Sequence, residues 1–187
     1  MKYLNIETGQ TKRQEAPMIQ GEHVILRKME IEDTDDIVRW RNSEGVRTRF
    51  IYQELFTRES HLNWIKTMVD TGKVVQMIIV EKDTGRAIGS AFIRDIDHKH
   101  HKGEYGLFIG EDVARGKGIG REVTHLMLEY GLSELGLHRI YSRVLEDNEV
   151  SIRSALKGGL EREGLAIDDV CIDGVYHNVV MLGKVRK

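Results

Sequence analysis

The chain has 187 residues, of which 40% are hydrophobic and 31% are charged. This balance is typical of a folded globular protein and unlike a disordered chain, and the length suits about one domain. With 28 basic and 30 acidic residues the net charge is −2, so there is no basic excess that would favour nucleic acid or an anionic membrane as a partner. The single cysteine, Cys171, excludes a disulfide framework and a zinc site built on several thiolates.

No stretch approaches the roughly 18 consecutive apolar residues of a membrane span, and the first residues lack the apolar segment of a secretory signal. We therefore expect a cytoplasmic protein. Residues 1–19 are polar, aperiodic and contain the only proline, Pro17, so they are predicted to form a flexible N-terminal arm. Residues 20–187 are predicted to form one domain.

Hydrophobic periodicity and turn residues predict the elements that follow the arm. The predicted strands, in chain order, are 24–28, 74–80, 86–94, 104–110, 138–145 and two strands that flank the turn at Asp173-Gly174 and end near 181. The predicted helices are 33–42, 58–71, 116–136 and 149–157. An opening strand, helices, an antiparallel meander and then alternating strands and helices indicate a mixed α/β fold with a central sheet.

The most informative segment is Arg115-Gly116-Lys117-Gly118-Ile119-Gly120, which follows a predicted strand and opens an amphipathic helix. Alternate glycines let an anion approach the backbone, and the free N–H groups and dipole of the helix start favour negative charge. Arg115 and Lys117 add positive charge at the same place. The segment predicts a phosphate or pyrophosphate site, although it matches neither a Walker loop nor a dinucleotide fingerprint, and a loop that merely turns the chain is the alternative.

A second segment begins with Asn148 and Ser151 and continues through Gly159-Leu160-Glu161-Arg162-Glu163-Gly164. Taken alone, Asn148 is explained as the N-cap of the helix 149–157. Taken together, the two segments resemble the GCN5-related N-acetyltransferases. Residues 115–120 match that family's acetyl-CoA signature, [RQ]-x-x-G-x-[GA], at every specified position. The second segment, with Glu122, resembles the branch that includes ribosomal-protein N-terminal acetylases.

The resemblance covers the chain from about residue 20 and implies a single α/β domain with a mostly antiparallel, curved sheet and helices on both faces. It implies that strands 104–110 and 138–145 lie side by side and then diverge, so that the pantetheine arm of acetyl-CoA inserts against the main chain of Leu107, Phe108 and Ile109. It further implies that residues 115–120 cradle the pyrophosphate and that Asn148 and Ser151 contact the cosubstrate, with no metal.

The same resemblance implies direct attack of a primary amine on acetyl-CoA in a ternary complex, with an N–H group of strand 104–110 facing the developing oxyanion. Many family members carry a tyrosine acid at the position that is Ala155 here. Ser151 is therefore our candidate acid and Glu104 our candidate base. The alternative for Glu104 is a surface carboxylate, and the alternative for the whole domain is a CoA-binding module without catalysis.

The acceptor pocket is expected in the first helices. The pattern W-R-N … V-R … H-x-x-W resembles the branch that acetylates nucleotide-linked amino sugars, and its members here are Trp40, Arg41, Asn42, Arg47, His61 and Trp64. Arginines suit a diphosphate, and tryptophans a sugar or base. The same side chains are equally well explained as core anchors and a solvated face. A polyamine, favoured by nearby glutamates at 44, 54 and 59, and a protein N-terminus also stay open as acceptors.

Two further features have simple explanations. The cluster of His98, His100 and His101 is predicted to be a solvated turn rather than a metal site, because functional sites draw ligands from separate elements. The leucines of helix 116–136 (Leu128, Leu132 and Leu135) pack either on the sheet or on another subunit, so a homodimer is possible.

Overall fold

The computed structural model describes residues 18–187, which form one mixed sheet of eight strands with helices on both faces. The strands are β1 Met18–Gln20, β2 Val24–Lys28, β3 Val75–Glu81, β4 Ala87–Asp97, β5 Lys102–Ile109, β6 Arg139–Leu145, β7 Glu161–Ile172 and β8 Val175–Val185. The helices are α1 Thr34–Asn42, α2 Glu44–Arg47, α3 Arg58–Trp64, α4 Ile119–Glu129 and α5 Glu149–Gly158. The spatial order is β1-β2-β3-β4-β5-β6-β8-β7, and only the β5–β6 pair is parallel.

The alternation of side chains along each strand divides the core into two layers. On β3, Met77 and Ile79 point into the larger layer, which contains the apolar face of α4. Ile78 points to the opposite face, where it packs with Ile37 and Trp40 of α1. The predicted α/β architecture, with a mostly antiparallel sheet covered on both faces, is confirmed.

Most predicted elements are present, with differences at their ends. The predicted helices 58–71 and 116–136 each end in a π-helical turn, Ile65–Val69 and Tyr130–Glu134 respectively. Helix α4 begins at Ile119 rather than at 116, because Gly116 and Gly118 have left-handed backbone angles, with φ of 78° and 81°. The short elements β1 and α2 were not expected from the sequence.

Residues 1–17 of the predicted arm lie outside the described residues. Met18 and Ile19, which the arm was expected to include, belong instead to β1 and pair with β2. The division of the chain into an arm and a domain otherwise stays a prediction. Within residues 18–187, no helix is long and apolar enough to cross a membrane.

The leucines of the predicted helix 116–136 face the interior. Leu128 is only 4% exposed, and Leu132 and Leu135 are partly buried against the same core. Packing within the chain therefore accounts for the apolar character of all three. Cys171 lies on β7, as its alternating surroundings indicated, and its side chain is exposed.

Candidate active site

The two central parallel strands separate soon after they meet. β5 pairs with β6 only through the registers Lys102↔Arg139, Gly103↔Ile140 and Glu104↔Tyr141. Beyond Glu104, β5 stays paired with its antiparallel partner β4 but separates from β6. A cleft of about 670 Å³ opens between β5 and β6. The expectation that these strands lie side by side and diverge is confirmed.

The cleft follows β5 from Glu104 to Ile109, roughly 17 Å at about 3.3 Å per strand residue. Leu107, Phe108 and Ile109 line it, as expected for the wall against which an extended arm would lie. The ring of Phe108 is buried and meets Trp40 and Phe50 edge-on. The side chain of Phe108 therefore anchors α1 beneath the strand, and the main-chain groups of Leu107 and Ile109, which alternate away from β4, face the cleft.

The glycine-rich loop closes one end of the cleft. Arg115, Gly116, Gly118, Ile119 and Gly120 line it, and Gly118 is the N-cap residue of α4. A Cβ atom added to Gly116 or Gly118 would meet nothing within 4 Å, so the open side of both residues is free for a ligand. The first N–H groups of α4 lack helical partners, and the helix dipole favours an anion there. The loop therefore fits the diphosphate of a coenzyme A molecule.

The two cations of the loop do not both face the cleft. Arg115 lines it, with a guanidinium that donates to the Ile109 carbonyl at 3.1 Å and pairs with Asp112. Lys117 was expected to add charge at the phosphate site, but its Nζ lies 3.0 Å from Glu81 and its side chain is not part of the cleft wall. The charge of Lys117 is compensated on β3, and hydrogen bonding from Lys117 lowers the pKa of Glu81.

Helix α5 supplies the opposite wall with Asn148, Ser151 and Ala155. Asn148 accepts a hydrogen bond from the Ser151 N–H at 3.3 Å and so caps α5. Its amide group also donates to the Arg49 carbonyl at 3.4 Å, which ties the segment after α2 across the cleft. Both side-chain polar atoms of Asn148 are thus engaged within the protein, and its contact with the cosubstrate stays a prediction.

Four basic side chains surround the loop end of the cleft: Arg115, Arg121, Arg153 and Lys157. Only the first was expected from the sequence. Arg121 lies in the first turn of α4, and the last two lie on α5. Such charges suit the several phosphate groups of a coenzyme, and the spacing of Arg153 and Lys157 by four residues on α5 was the available signal.

The opposite end of the cleft is built around Glu104, whose side chain is almost fully buried. Its carboxylate lies 3.1 Å from a guanidinium nitrogen of Arg94 on β4 and 3.4 Å from the Nε of Arg143 on β6. Tyr52 covers this group, since the Arg94 guanidinium lies 5.1 Å from the centre of its ring. Burial acts to lower the pKa of Arg143, but a hydrogen bond with Tyr52 and the charge of Glu104 raise it above its usual value.

The six side chains expected to hold the acceptor do not line the cleft. Trp40 is 1% exposed and donates its indole N–H to Glu111 at 2.7 Å, so it is a core anchor. His61 is buried, contacts the Thr34 hydroxyl at 3.2 Å and stacks on Trp64. An acceptor cannot stack on the Trp40 ring, because that ring already fills the space above Gly110.

The polar members of that set hold the segment that follows α2. Asn42 donates to the Phe56 carbonyl and accepts from the Phe56 N–H, both at 2.8 Å. Arg41 donates to the Tyr52 carbonyl at 3.1 Å, and Arg47 to the Gln53 carbonyl at 3.4 Å. Their position corrects the expected role: they shape a loop whose members Phe50, Ile51 and Tyr52 do line the cleft.

Within residues 18–187 no group of three or more histidine, cysteine or acidic side chains is placed to hold a metal ion. The turn that contains His98 and His100 is organised by Asp97, whose carboxylate accepts from the N–H groups of Lys99 and His100 at 2.9 Å.

Comparison with known proteins agrees with this geometry. The model of a family described as an acetyltransferase (GNAT) domain matches residues 23–161. This chain belongs to the GNAT family. It is an acetyl-CoA-dependent N-acetyltransferase.

Relatives of this acetyltransferase include two bacterial proteins that it matches over most of their length. It is 28% identical to the uncharacterized N-acetyltransferase p20 of Bacillus licheniformis, over 89% of this chain and 94% of the relative. It is 26% identical to the spermidine N(1)-acetyltransferase of Escherichia coli K12, over 85% of this chain and 84% of the relative.

A similar solved structure is that of the spermidine N-acetyltransferase from Vibrio cholerae in complex with CoA and spermine. Its TM-score is 0.80 at 20% identity, and the match covers 87% of this chain and 95% of that one. This likeness supports the fold of the acetyltransferase and not its choice of acceptor.

Proposed function

We propose that this enzyme transfers an acetyl group from acetyl-CoA to the primary amine of a small molecule, by direct attack within a ternary complex. One observation carries the proposal. A single cleft joins the glycine-rich loop 115–120 to a buried carboxylate at Glu104, along one strand with an unpaired edge. The cosubstrate supplies an activated thioester carbonyl, and the amine would reach it from the Glu104 end.

Each proposed role follows from position along β5. The main-chain N–H of Leu107, which faces away from β4, is the proposed donor to negative charge that develops on a carbonyl oxygen in the cleft. Glu104 is the only acidic residue among the described residues that line the cleft, so it is the proposed acceptor of the amine proton, directly or through water. A free alkyl ammonium has a pKa of about 10, so at neutral pH such a base is needed.

Ser151 is the proposed donor to the leaving thiolate. It lines the cleft from the first turn of α5, and the usual tyrosine position is occupied by Ala155, whose methyl group is buried in the same wall. Ser142 and Ser154 also line the cleft and offer hydroxyl groups. Replacing each serine singly by alanine distinguishes them, because only the donor's loss lowers turnover without raising the KM of acetyl-CoA.

The acceptor class is a separate part of the proposal. Spermidine acetyltransferases are among the relatives, which favours a small amine over a protein N-terminus. A nucleotide-linked amino sugar, first among the expectations from sequence, loses the support of the tryptophan pair, since Trp40 is buried and Trp64 is occupied by His61. One similar spermidine acetyltransferase is dodecameric, so we propose a multimer and not specifically a dimer.

The test is thiol release from acetyl-CoA with a panel of amines: polyamines, amino sugars, nucleotide-linked amino sugars, amino acids and free N-terminal peptides. We expect acceptor-dependent release with at least one small amine, and stoichiometric acetylated product by mass spectrometry. Tight CoA binding without any acceptor-dependent release would contradict the proposed reaction, and exclusive turnover of peptides would contradict a small-molecule acceptor.

A further inference from the structure

The acceptor end of the cleft carries more positive than negative charge. We define this acceptor end by eight lining residues: Arg49, Phe50, Ile51, Tyr52, Phe92, Arg94, Glu104 and Arg143. Three of the eight are arginines and one is acidic. The end of the cleft that would receive the amine is therefore cationic before any ligand binds.

The one carboxylate does not balance the nearest arginines. Glu104 accepts from Arg94 through Nε and from Arg143 through both Nε and Nη2, at 3.3 to 3.5 Å. Two guanidinium groups thus share one buried carboxylate, and the second carboxylate near Arg94, that of Asp95 at 3.8 Å, is exposed to solvent. The two arginine side chains are each 26% exposed, whereas that of Glu104 is 6% exposed, so a molecule in the cleft meets the cations first.

A further arginine lies directly behind the acceptor end. Arg41 is 7% exposed, and its guanidinium stacks 3.7 Å from the centre of the Phe50 ring. Nη2 donates to the Tyr52 carbonyl, but Nη1 is buried and has no hydrogen-bond partner among residues 18–187. Burial and the charge of Arg94 lower the pKa of Arg41 to about 10, so the group remains charged at neutral pH.

Uncompensated buried charge is costly, and a ligand of opposite charge reduces that cost. A polyamine brings further positive charges and would be repelled at this end. The glutamates that favoured a polyamine from sequence, at 44, 54 and 59, are absent from the described cleft wall. Planar guanidinium groups bind carboxylate and phosphate through paired hydrogen bonds, which makes an anion the matching ligand.

We infer that the acceptor is a small amine that also carries a carboxylate or phosphate group, and that Arg94 and Arg143 bind this anionic group while its amine lies near Glu104. The inference rests on the proposed acetyl transfer and specifies its substrate class. It distinguishes this enzyme from a spermidine acetyltransferase despite the likeness in fold. Arg41 adds to the positive field from behind Phe50 and does not contact the acceptor.

The experiment compares amines that differ only in the anionic group. The pairs are ethanolamine and O-phosphoethanolamine, glucosamine and glucosamine 6-phosphate, and tyramine and tyrosine, with spermidine as the polycation. The phosphate pairs and the carboxylate pair separate the two kinds of anion. We expect the kcat/KM of at least one anionic amine to exceed that of its neutral partner and that of spermidine by about tenfold or more. A tenfold difference is the effect expected from one well-placed hydrogen bond between charged groups.

Variants connect the preference to the named arginines. Arg143→Gln should raise the KM of the preferred anionic acceptor about tenfold or more relative to the KM of its neutral partner. Arg94→Gln should act in the same direction, which covers the case in which Arg143→Gln fails to fold. Arg58→Gln, which removes an exposed guanidinium that pairs with Asp35 of α1 outside the cleft, is the matched control and should change neither. The KM of the anionic acceptor in the wild type should also rise with salt.

The outcomes separate this inference from the proposed function. If acetyl-CoA is bound and spermidine or the neutral amines are preferred, acetyl transfer stands and the anionic acceptor is wrong. If acceptors are turned over but Arg94→Gln and Arg143→Gln leave the anionic preference unchanged, the assigned arginines are wrong. Failure of every anionic amine in the panel counts against the inference, whereas failure to bind acetyl-CoA overturns the proposed reaction itself.

Discussion

Glu104 is the last residue of β5 that pairs with β6, and the cleft begins directly after it. This placement decides which chemistry Glu104 can perform. Its carboxylate is buried and held by guanidinium groups from the strands on both sides. The two arginines fix its orientation, and the cleft in front of it has room for an amine. A carboxylate held rigidly at the branch point can receive a proton without rearrangement of the site.

Replacing Glu104 by glutamine keeps the shape and removes the charge. We expect kcat at pH 7 to fall about tenfold or more, since a positioned general base typically contributes about 10²–10⁴-fold, while the KM of acetyl-CoA stays unchanged. The difference in kcat between Glu104→Gln and the wild type should become smaller towards pH 10, where the amine is deprotonated without a general base. Steady-state rates from pH 6 to 10 measure this.

The control for Glu104→Gln is Glu163→Gln. Glu163 is also a strand carboxylate held by a guanidinium, that of Arg139, and it lies outside the cleft. Its replacement should leave kcat unaffected at every pH. If kcat of Glu104→Gln at pH 7 is less than about threefold below the wild-type value, Glu104 is not the base of the reaction.

His61 is a structural residue with a pH signature. Burial lowers its pKa, which the charge of Asp33 offsets only in part. In the unfolded chain the imidazole titrates near 6.5, so below that pH the unfolded state binds more protons than the native state. The contribution of His61 to stability is therefore complete above pH 6.5 and is lost as pH falls through 6.5 towards the native pKa.

We expect the free energy of unfolding to fall between pH 7.5 and 5.5, by at most about 1.4 kcal/mol per pH unit for this one group. Urea titrations of His61→Gln should show a shallower fall. His125→Gln, which removes an exposed histidine from α4, should keep the wild-type slope. Because His61 lies outside the cleft, His61→Gln should also leave the KM of the acceptor unchanged. A large rise in that KM would show that His61 does contribute to the acceptor site.

At the scale of elements, the sequence predicts features built from contiguous residues, and it does not predict features whose residues come from separate strands and loops. The glycine-rich loop, its strand and its helix are contiguous, so spacing alone located them. Arg94, Arg143 and Tyr52 come from β4, β6 and the segment after α2, and a single arginine on a strand has no local signature. Only the register of β4, β5 and β6 brings these residues to Glu104.

The acceptor expectation failed for a related reason. The apolar spacing of α1 does not reveal which of its aromatic and basic residues face the sheet. Trp40 packs against Gly110, where any side chain would clash with the indole, and the arginine beside it is buried on Phe50. Tertiary packing assigned these side chains to the support of a loop, which the pattern W-R-N alone could not show.

The start of α4 allows a direct test of the phosphate-binding loop. Gly118 has a φ of 81° and open space beside it on the cleft side. Gly118→Val forces a β-branched residue into this left-handed conformation and places its methyl groups where the anion must approach. We expect the affinity for CoA to fall about tenfold or more, equivalent to about 1.4 kcal/mol, measured by titration calorimetry.

A matched control separates strain from ligand contact. Gly174, in the turn between β7 and β8, has a φ of 82° and equally open surroundings, but it lies outside the cleft. Gly174→Val should cost similar stability, about 1–2 kcal/mol, with CoA affinity unchanged. Equal affinity of the two variants for CoA would show that the loop does not bind the diphosphate.

The whole molecule consists of two sheet halves, β1–β5 and β6–β8–β7, joined by three residue pairs and by α4, whose apolar face packs in the core shared by both. The cosubstrate would lie between these halves along the unpaired edge of β5.

A ligand that binds only the native state stabilises it by mass action, so CoA at about a hundred times its Kd adds about 2.7 kcal/mol to the free energy of unfolding. For a domain of this size we expect Tm to rise by about 5–10 °C. Hydrogen exchange should slow at the amides of Leu107 and Ile109, because these groups face the cleft and gain partners. Gly118→Val at the same CoA concentration should show a smaller rise in Tm, and the assignment of the cleft to the cosubstrate is wrong if saturating CoA slows exchange elsewhere but leaves β5 unchanged.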